Sequence, residues 1–271
     1  MVNQSVAVIL SVYRSECPDY LYKSLQSMFS QTMPGDVYLY VDGNIPDPLE
    51  RVIEQFKSES NFFIYRSDTN RGLAFALNLL INEVLKRPYK YIARMDTDDI
   101  SHSTRLEKQF HFMEEHLSVD VLGGYCREFG SEFALELKRL PLEHEELRSF
   151  SIIRCPFIHP TVMFRSSVFN SGVRYPTNTV FTEDMALWFD LLERGFCFHN
   201  IPEVLLDYRL NENTFNRRRG IGKAISEVSV RFKYMIRLNE FSLKNIFLLF
   251  IKFCFHLLPS SLIQYAYKKC R

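Results

Sequence analysis

The chain has 271 residues, 46% of them hydrophobic and 24% charged, with a formal net charge of +1. This balance excludes a disordered chain, and 24 Phe and 14 Tyr can fill the core of one large domain, alone or with an appendage. The charge is unevenly placed: residues 216–271 hold 12 Lys+Arg against 2 Asp+Glu, while the rest hold 21 against 30, which predicts two surfaces with different partners.

Val6–Val12 is continuously apolar and β-branched, as in a strand buried on both faces. It carries no basic n-region, so a signal peptide is not expected. Pro18 opens a helix to about Gln31, with Leu21, Leu25, Met28 and Phe29 at helical spacing. Strand Val37–Val41, helix Pro48–Lys57, strand Phe62–Tyr65, helix Leu73–Leu85 and strand Tyr89–Met95 follow. A helix over Thr104–Glu115 and a strand over Val119–Gly123 continue the alternation, and Arg127–Glu146 is charged and weakly patterned. A strand at Thr161–Phe164, a helix near Met185–Glu193, a strand at Val204–Tyr208 and a helical tail from Gly220 complete the reading. The alternation predicts an α/β fold with a doubly wound, mainly parallel sheet, whose ligands bind beyond the carboxyl ends of the strands.

Two acidic features fall on that rim: Asp42, ending the second strand, and Asp96, Asp98 and Asp99 after the strand at 89–95. Carboxylates this close repel one another. Asp96 and Asp98 can offer oxygens to one Mg²⁺ or Mn²⁺, which offsets the repulsion and leaves positions for phosphate oxygens. The alternative is a solvated turn with Ser101 or Ser103 capping the next helix. The six cysteines form no C-x-x-C pair and read as thiols in a reducing compartment.

The stretches SVYRSECPDYLYKSLQSMFSQT (11–32), LYVDG (39–43), NRGLAFALN (70–78), IARMDTDD (92–99), HPTVMFR (159–165) and TEDMALWFDLLERG (182–195) follow one another in an order that resembles family 2 glycosyltransferases with the GT-A fold. The chain is similar to bacterial enzymes that build O-antigen or capsule repeats as β-1,3-galactosyl- or glucosyltransferases. That resemblance implies inverting transfer of a hexose from UDP-Gal or UDP-Glc to a sugar acceptor on undecaprenyl diphosphate. It implies roles residue by residue. Ser11, Val12 and Tyr13 line the uridine pocket, and Asp42 accepts the uracil N3–H. Asn70, Arg71 and Gly72 open a loop into a helix near the phosphates, and Asn78 lies further along that helix. Asp96, Thr97 and Asp98 form the metal–diphosphate site. His159 lies near the diphosphate, or is ordinary structure. Arg94 holds a carboxylate or the nucleotide, or forms a structural salt bridge. Arg217 belongs to a basic loop that closes over the nucleotide, or meets lipid phosphates, or is solvated. Asp184 is the general base, with Glu183 beside it. Trp188 packs under the acceptor sugar or lies in the core.

On this reading residues 1–215 are catalytic, with a nucleotide-sugar half to about 100 and an acceptor half after it. Residues 216–271 form a basic, Phe-rich helical tail. LKNIFLLFIKFCFHLLP (243–259) is too short to span a bilayer comfortably; it suits a helix in the membrane interface, or one packed on the catalytic domain. The expected place is cytoplasmic, at the inner face of the inner membrane, with no nucleic-acid partner. Rival readings are a nucleotidyltransferase, which would usually show a glycine-rich loop where this chain has SVYRSECPD, and an inactive sugar-nucleotide-binding paralogue.

Overall fold

In the computed structural model, residues 5–179, 182–210 and 221–257 are described. Arg217 lies outside them. Strands β1 (Val6–Tyr13), β2 (Asp36–Asp42), β3 (Phe62–Ser67) and β4 (Tyr91–Arg94) form the parallel half of an eight-stranded sheet. The other half holds β5 (Ile100–Ser101), β6 (Val121–Phe129), β7 (Met163–Arg165) and β8 (Phe198–Arg209), in the overall order β3-β2-β1-β4-β7-β6-β8-β5. The direction reverses at β7, which is antiparallel to both β4 and β6.

The apolar runs become strands because both faces of the sheet are covered. In β1, Ala7 and Ile9 join the core under α3 (Leu73–Val84), α7 (Glu183–Glu193) and α8 (Ile221–Arg237). Val6, Val8, Leu10 and Val12 face the opposite core, under α1 (Pro18–Phe29), α2 (Asp47–Phe56) and α4 (Arg105–Glu115). This alternation corrects one expectation: Val12 turns its side chain into the core, while Ser11 and Tyr13 reach the rim. Trp188 is also core, fully buried against Phe157 and Phe164.

Short helices α5 (His144–Ser151) and α6 (Ser166–Asn170) fall where no helix was expected. The tail is docked. Tyr234 and Met235 of α8 and Leu238 just after it are buried, the Tyr234 ring stacks on Phe189 at 4.9 Å, and Arg237 pairs with Glu193 at 2.9 Å. Helix α9 (Leu243–Leu257) buries Leu249, yet leaves Leu243, Phe247, Phe250 and Ile251 exposed along one stripe. Among the described residues, no helix is long and apolar enough to cross a membrane.

Leu25 of α1 is fully buried against the sheet, so Leu25→Ala should destabilise the fold by about 2–5 kcal/mol. Leu117→Ala, at a position 74% exposed, should leave the urea midpoint nearly unchanged in the same denaturation series.

Candidate active site

The parallel register sets the site. Tyr13 at the end of β1 lies opposite Asp42 at the end of β2, and β4 runs out beside them into Met95 and the acidic turn. The Ser24 hydroxyl of α1 donates to the Asp96 carbonyl at 2.8 Å, and the Thr97 hydroxyl donates to Glu16 at 2.9 Å. These bonds hold the turn against the tip of β1.

Asp42 is a fastener as well as a wall. Its two carboxylate oxygens accept the backbone N–H groups of Arg71 (2.7 Å) and Gly72 (2.9 Å). The loop entering α3 is thereby drawn onto β2, and the Arg71 guanidinium lies 3.4 Å over the Phe75 ring. Gly43 and Gly72 have φ of 85° and 87°, which side chains rarely adopt; a Cβ at Gly43 would also come within 2.8 Å of the Asn70 nitrogen. Asn78 is committed to the backbone of Tyr175, donating to its carbonyl and accepting its N–H, both at 2.8 Å. It braces the 175–179 segment and does not reach the cavity wall.

Carboxylate oxygens of Asp96, Asp98 and Asp99 lie within 4.8 Å of one another. The crowding has a measurable electrostatic consequence. Burial, then the charges of Asp96 and Glu16, push Asp98 up to about 7. Asp99 is raised as well, by burial and then by its two neighbours. Arginines offset part of this. Arg94, 1% exposed, donates to the Asp96 carboxylate, and buried Arg105 donates to the Arg94 carbonyl at 2.7 Å. Arg209 donates its backbone N–H to Asp99 (2.7 Å) and its Nε–H to the Asp98 carbonyl (2.8 Å), its guanidinium sandwiched between the Tyr20 and Phe129 rings. Asp99 Oδ2 nonetheless remains buried without a hydrogen-bond partner. An orphaned carboxylate oxygen within a trio of acids is the donor set a hard divalent cation takes, so the residues present fit Mg²⁺ or Mn²⁺.

One cavity of about 1700 Å³ joins these elements. Ser11, Tyr13, Asp42, Asn70–Gly72 and Asp96–Asp98 line one side; His159, Glu183 and Asp184 line it as well. His159 lies in a short 3-10 turn just before β7, and its Nε2 lies 2.9 Å from the Tyr175 hydroxyl. Burial and nearby Arg94 push its pKa down to about 3, so the ring stays neutral. Glu183 and Asp184 occupy the first turn of α7, where acids meet the positive end of the helix, and Asp184 Oδ1 accepts the Met185 N–H at 2.7 Å. Asp99 belongs to the acidic run expected on this rim but was not expected as a ligand, and Arg209, Glu16 and Tyr175 were not expected at the site. Glu16 lies within the SVYRSECPD stretch. Arg209 carries no local signal, because only the path of β8 brings it to the acidic turn.

The doubly wound sheet with an acidic turn at its carboxyl rim defines a GT-A glycosyltransferase fold. The glycosyl transferase family 2 model matches residues 7–180. The chain is 32% identical over 267 residues to the amylovoran biosynthesis glycosyltransferase AmsE of Erwinia amylovora, covering 98% of each. It is 31% identical over 267 residues to the UDP-Gal:alpha-D-GlcNAc-diphosphoundecaprenol beta-1,3-galactosyltransferase of Escherichia coli, covering 97% of this chain and 95% of that one. The mannosyltransferase PcManGT of Pyrobaculum calidifontis, solved with GDP-Man and Mn²⁺, superposes with a TM-score of 0.66 at 14% identity over 97% of this chain and 79% of its own. The chain belongs to glycosyl transferase family 2 and is a glycosyltransferase.

The raised Asp98 gives a signed pH prediction. A carboxyl whose folded pKa, about 7, exceeds its unfolded 3.8 stabilises the metal-free fold below about pH 4, and that contribution fades as pH rises toward 7. In EDTA, Asp98→Asn should therefore be more heat-stable than the parent at pH 8 and close to it at pH 4. Adding Mn²⁺ at pH 8 should raise the parent's melting temperature and leave that of the variant nearly unmoved.

Proposed function

We propose that this enzyme transfers a hexose, galactose or glucose, from its UDP-sugar to a sugar carried on a lipid diphosphate, with inversion at the anomeric carbon. The observation that carries the proposal is the single cleft shared by Asp42, the 96–98 turn and the Glu183–Asp184 pair. Names of relatives support it: the Escherichia coli protein uses UDP-Gal and a diphosphoundecaprenol-linked acceptor.

In this reading Ser11 and Tyr13 flank the uracil, and Asp42 selects it. Both Asp42 oxygens already accept loop N–H groups, but each keeps a second lone pair for the uracil N3–H. Asp96 and Asp98 hold a Mg²⁺ or Mn²⁺, with Asp99 as a further donor; the bound ion supplies Lewis-acid neutralisation of the charge that grows on departing UDP. His159 remains neutral and, through Tyr175, shapes the wall beside the diphosphate. Asp184 takes the proton of the acceptor hydroxyl as its oxygen bonds to the anomeric carbon and the bond to the diphosphate oxygen breaks on the opposite face. Glu183 is its neighbour in the acidic pair. Arg217 would act from the segment outside the described residues.

We assign the nucleotide-sugar half to about residues 1–100, the acceptor half to about 101–215, and the tail to membrane contact. The exposed α9 stripe and the basic balance of the tail support a peripheral position at the cytoplasmic face of an inner membrane.

A panel of UDP-sugars, assayed for Mn²⁺-dependent UDP release with and without a GlcNAc- or GalNAc-diphosphate lipid analogue, tests the reading. One UDP-hexose should be turned over in a metal- and acceptor-dependent way; no release with any donor would sink it. Asp184→Asn should retain UDP binding within about twofold and lose roughly 10²–10⁴-fold in kcat. A loss of binding equal to the loss of rate would remove Asp184 from the role of base.

A further inference from the structure

Helix α9 presents a second stripe, distinct from the exposed one: Leu248, Ile251, Lys252 and Phe255, at i, i+3, i+4 and i+7, line the cavity. Ile251, 46% exposed, belongs to both stripes, so the outward apolar face runs without a break into the cleft. Where it enters, charge is unbalanced. Lys252 Nζ lies 3.0 Å from Glu227 Oε1, and the same oxygen lies 2.9 Å from the Arg231 guanidinium. Arg231, 1% exposed, also donates to the Ser151 carbonyl at 2.6 Å. Two cations thus share one carboxylate, and exposed Arg154 adds another on the same wall. This wall belongs to the same cavity as Asp184: Arg154, Cys155, Arg231 and Lys252 line it together with Glu183 and Asp184.

We propose that Lys252 and Arg154, with Arg231 behind them, form the subsite for the acceptor's diphosphate, and that its hydrocarbon chain leaves the cleft along Ile251, Phe250 and Phe247 of α9. The excess positive charge matches a diphosphate, and the apolar ramp matches a chain attached to it. The arrangement deepens the acceptor side of the function proposed above, on which it rests for the identity of the sugar. It directs an amphiphile sideways from the membrane interface, so that the sugar beyond the diphosphate points toward Asp184.

Equilibrium binding tests this without turnover. Decyl diphosphate, kept below its micelle concentration, is titrated into the full-length protein in EDTA, which leaves the acidic turn without a metal to attract phosphate. Decanol and inorganic pyrophosphate are the controls. The parent should bind decyl diphosphate at least ~10-fold more tightly than either control. Lys252→Met should lose about 10-fold of that affinity with decanol binding unchanged, and Lys252→Arg should restore it to within about threefold. Arg154→Ala, at an exposed position, should lose several-fold while melting like the parent; it serves as the test should Lys252→Met not fold. Equal affinity for decanol and decyl diphosphate, or no loss in either Lys252→Met or Arg154→Ala, overturns the subsite. Pyrophosphate binding as tightly as decyl diphosphate overturns the lipid and leaves a site for free phosphate. Failure of the donor reading would show separately, as absent UDP release from a protein that still binds decyl diphosphate.

Discussion

The structure turns on a repulsion that the fold holds rather than avoids. Asp96, Asp98 and Asp99 are confined within 4.8 Å of one another at the tip of a central strand. Separating them would release electrostatic energy, yet the turn is held by Ser24 on the Asp96 carbonyl, by Glu16 on the Thr97 hydroxyl and by Arg209 on the Asp98 carbonyl. Arg94 and Arg105, both buried, compensate part of the charge from beneath and leave the cleft side negative. A buried guanidinium is costly unless its donors are used, and Arg105 spends its own on Gln109 and the Arg94 carbonyl. The acids are therefore pre-positioned, and the cost of gathering them is met on folding rather than on ligand binding.

Geometry explains how residues distant in sequence come to share the cleft. Parallel pairing of β1, β2 and β4 stacks their carboxyl ends on one edge, which is why Tyr13, Asp42 and the acidic turn meet. Strand β7 runs against both of its neighbours, β4 and β6, so its starting end lies on that same edge and His159 enters there just before it. Helix α7 brings Glu183 and Asp184 by their own backbone position in its first turn. The tail closes the remaining side, docked by Tyr234 on Phe189 and by the Arg148 guanidinium donating to the Leu238 carbonyl at 2.6 Å.

Much of this was legible in the chain. The first four strands and the helices between them follow from apolar runs and helical spacing, and the acidic run at a strand end identifies the rim. The misses have physical causes. Strand β6 was expected to stop at Gly123; it continues to Phe129 through register shifts on either side of Tyr125, and at Gly124 an added Cβ would meet the buried Leu205 side chain at 2.5 Å. Strand β5 is two residues long and exists only by pairing with β8, about a hundred positions away. Helix α5 hides in a charged stretch because it buries only Leu147 and Ser151. Val12 and Asn78 sit in motifs that line the cleft, yet strand alternation sends one inward and a backbone partner claims the other. The cavity stripe of α9 escaped because its spacing is indistinguishable from that of any amphipathic helix.

The sharing of Glu227 between α8 and α9 also bears on the order of biosynthesis. The rim built by β1, β2 and β4 consists of residues a ribosome delivers first, whereas the wall at Lys252 comes from the last helix described. A nascent chain can thus shape that rim early, but the cavity stays open along its α9 flank until translation has passed residue 252 and α9 has docked. Completion of the cavity wall is in this way deferred until the last described helix is itself in place.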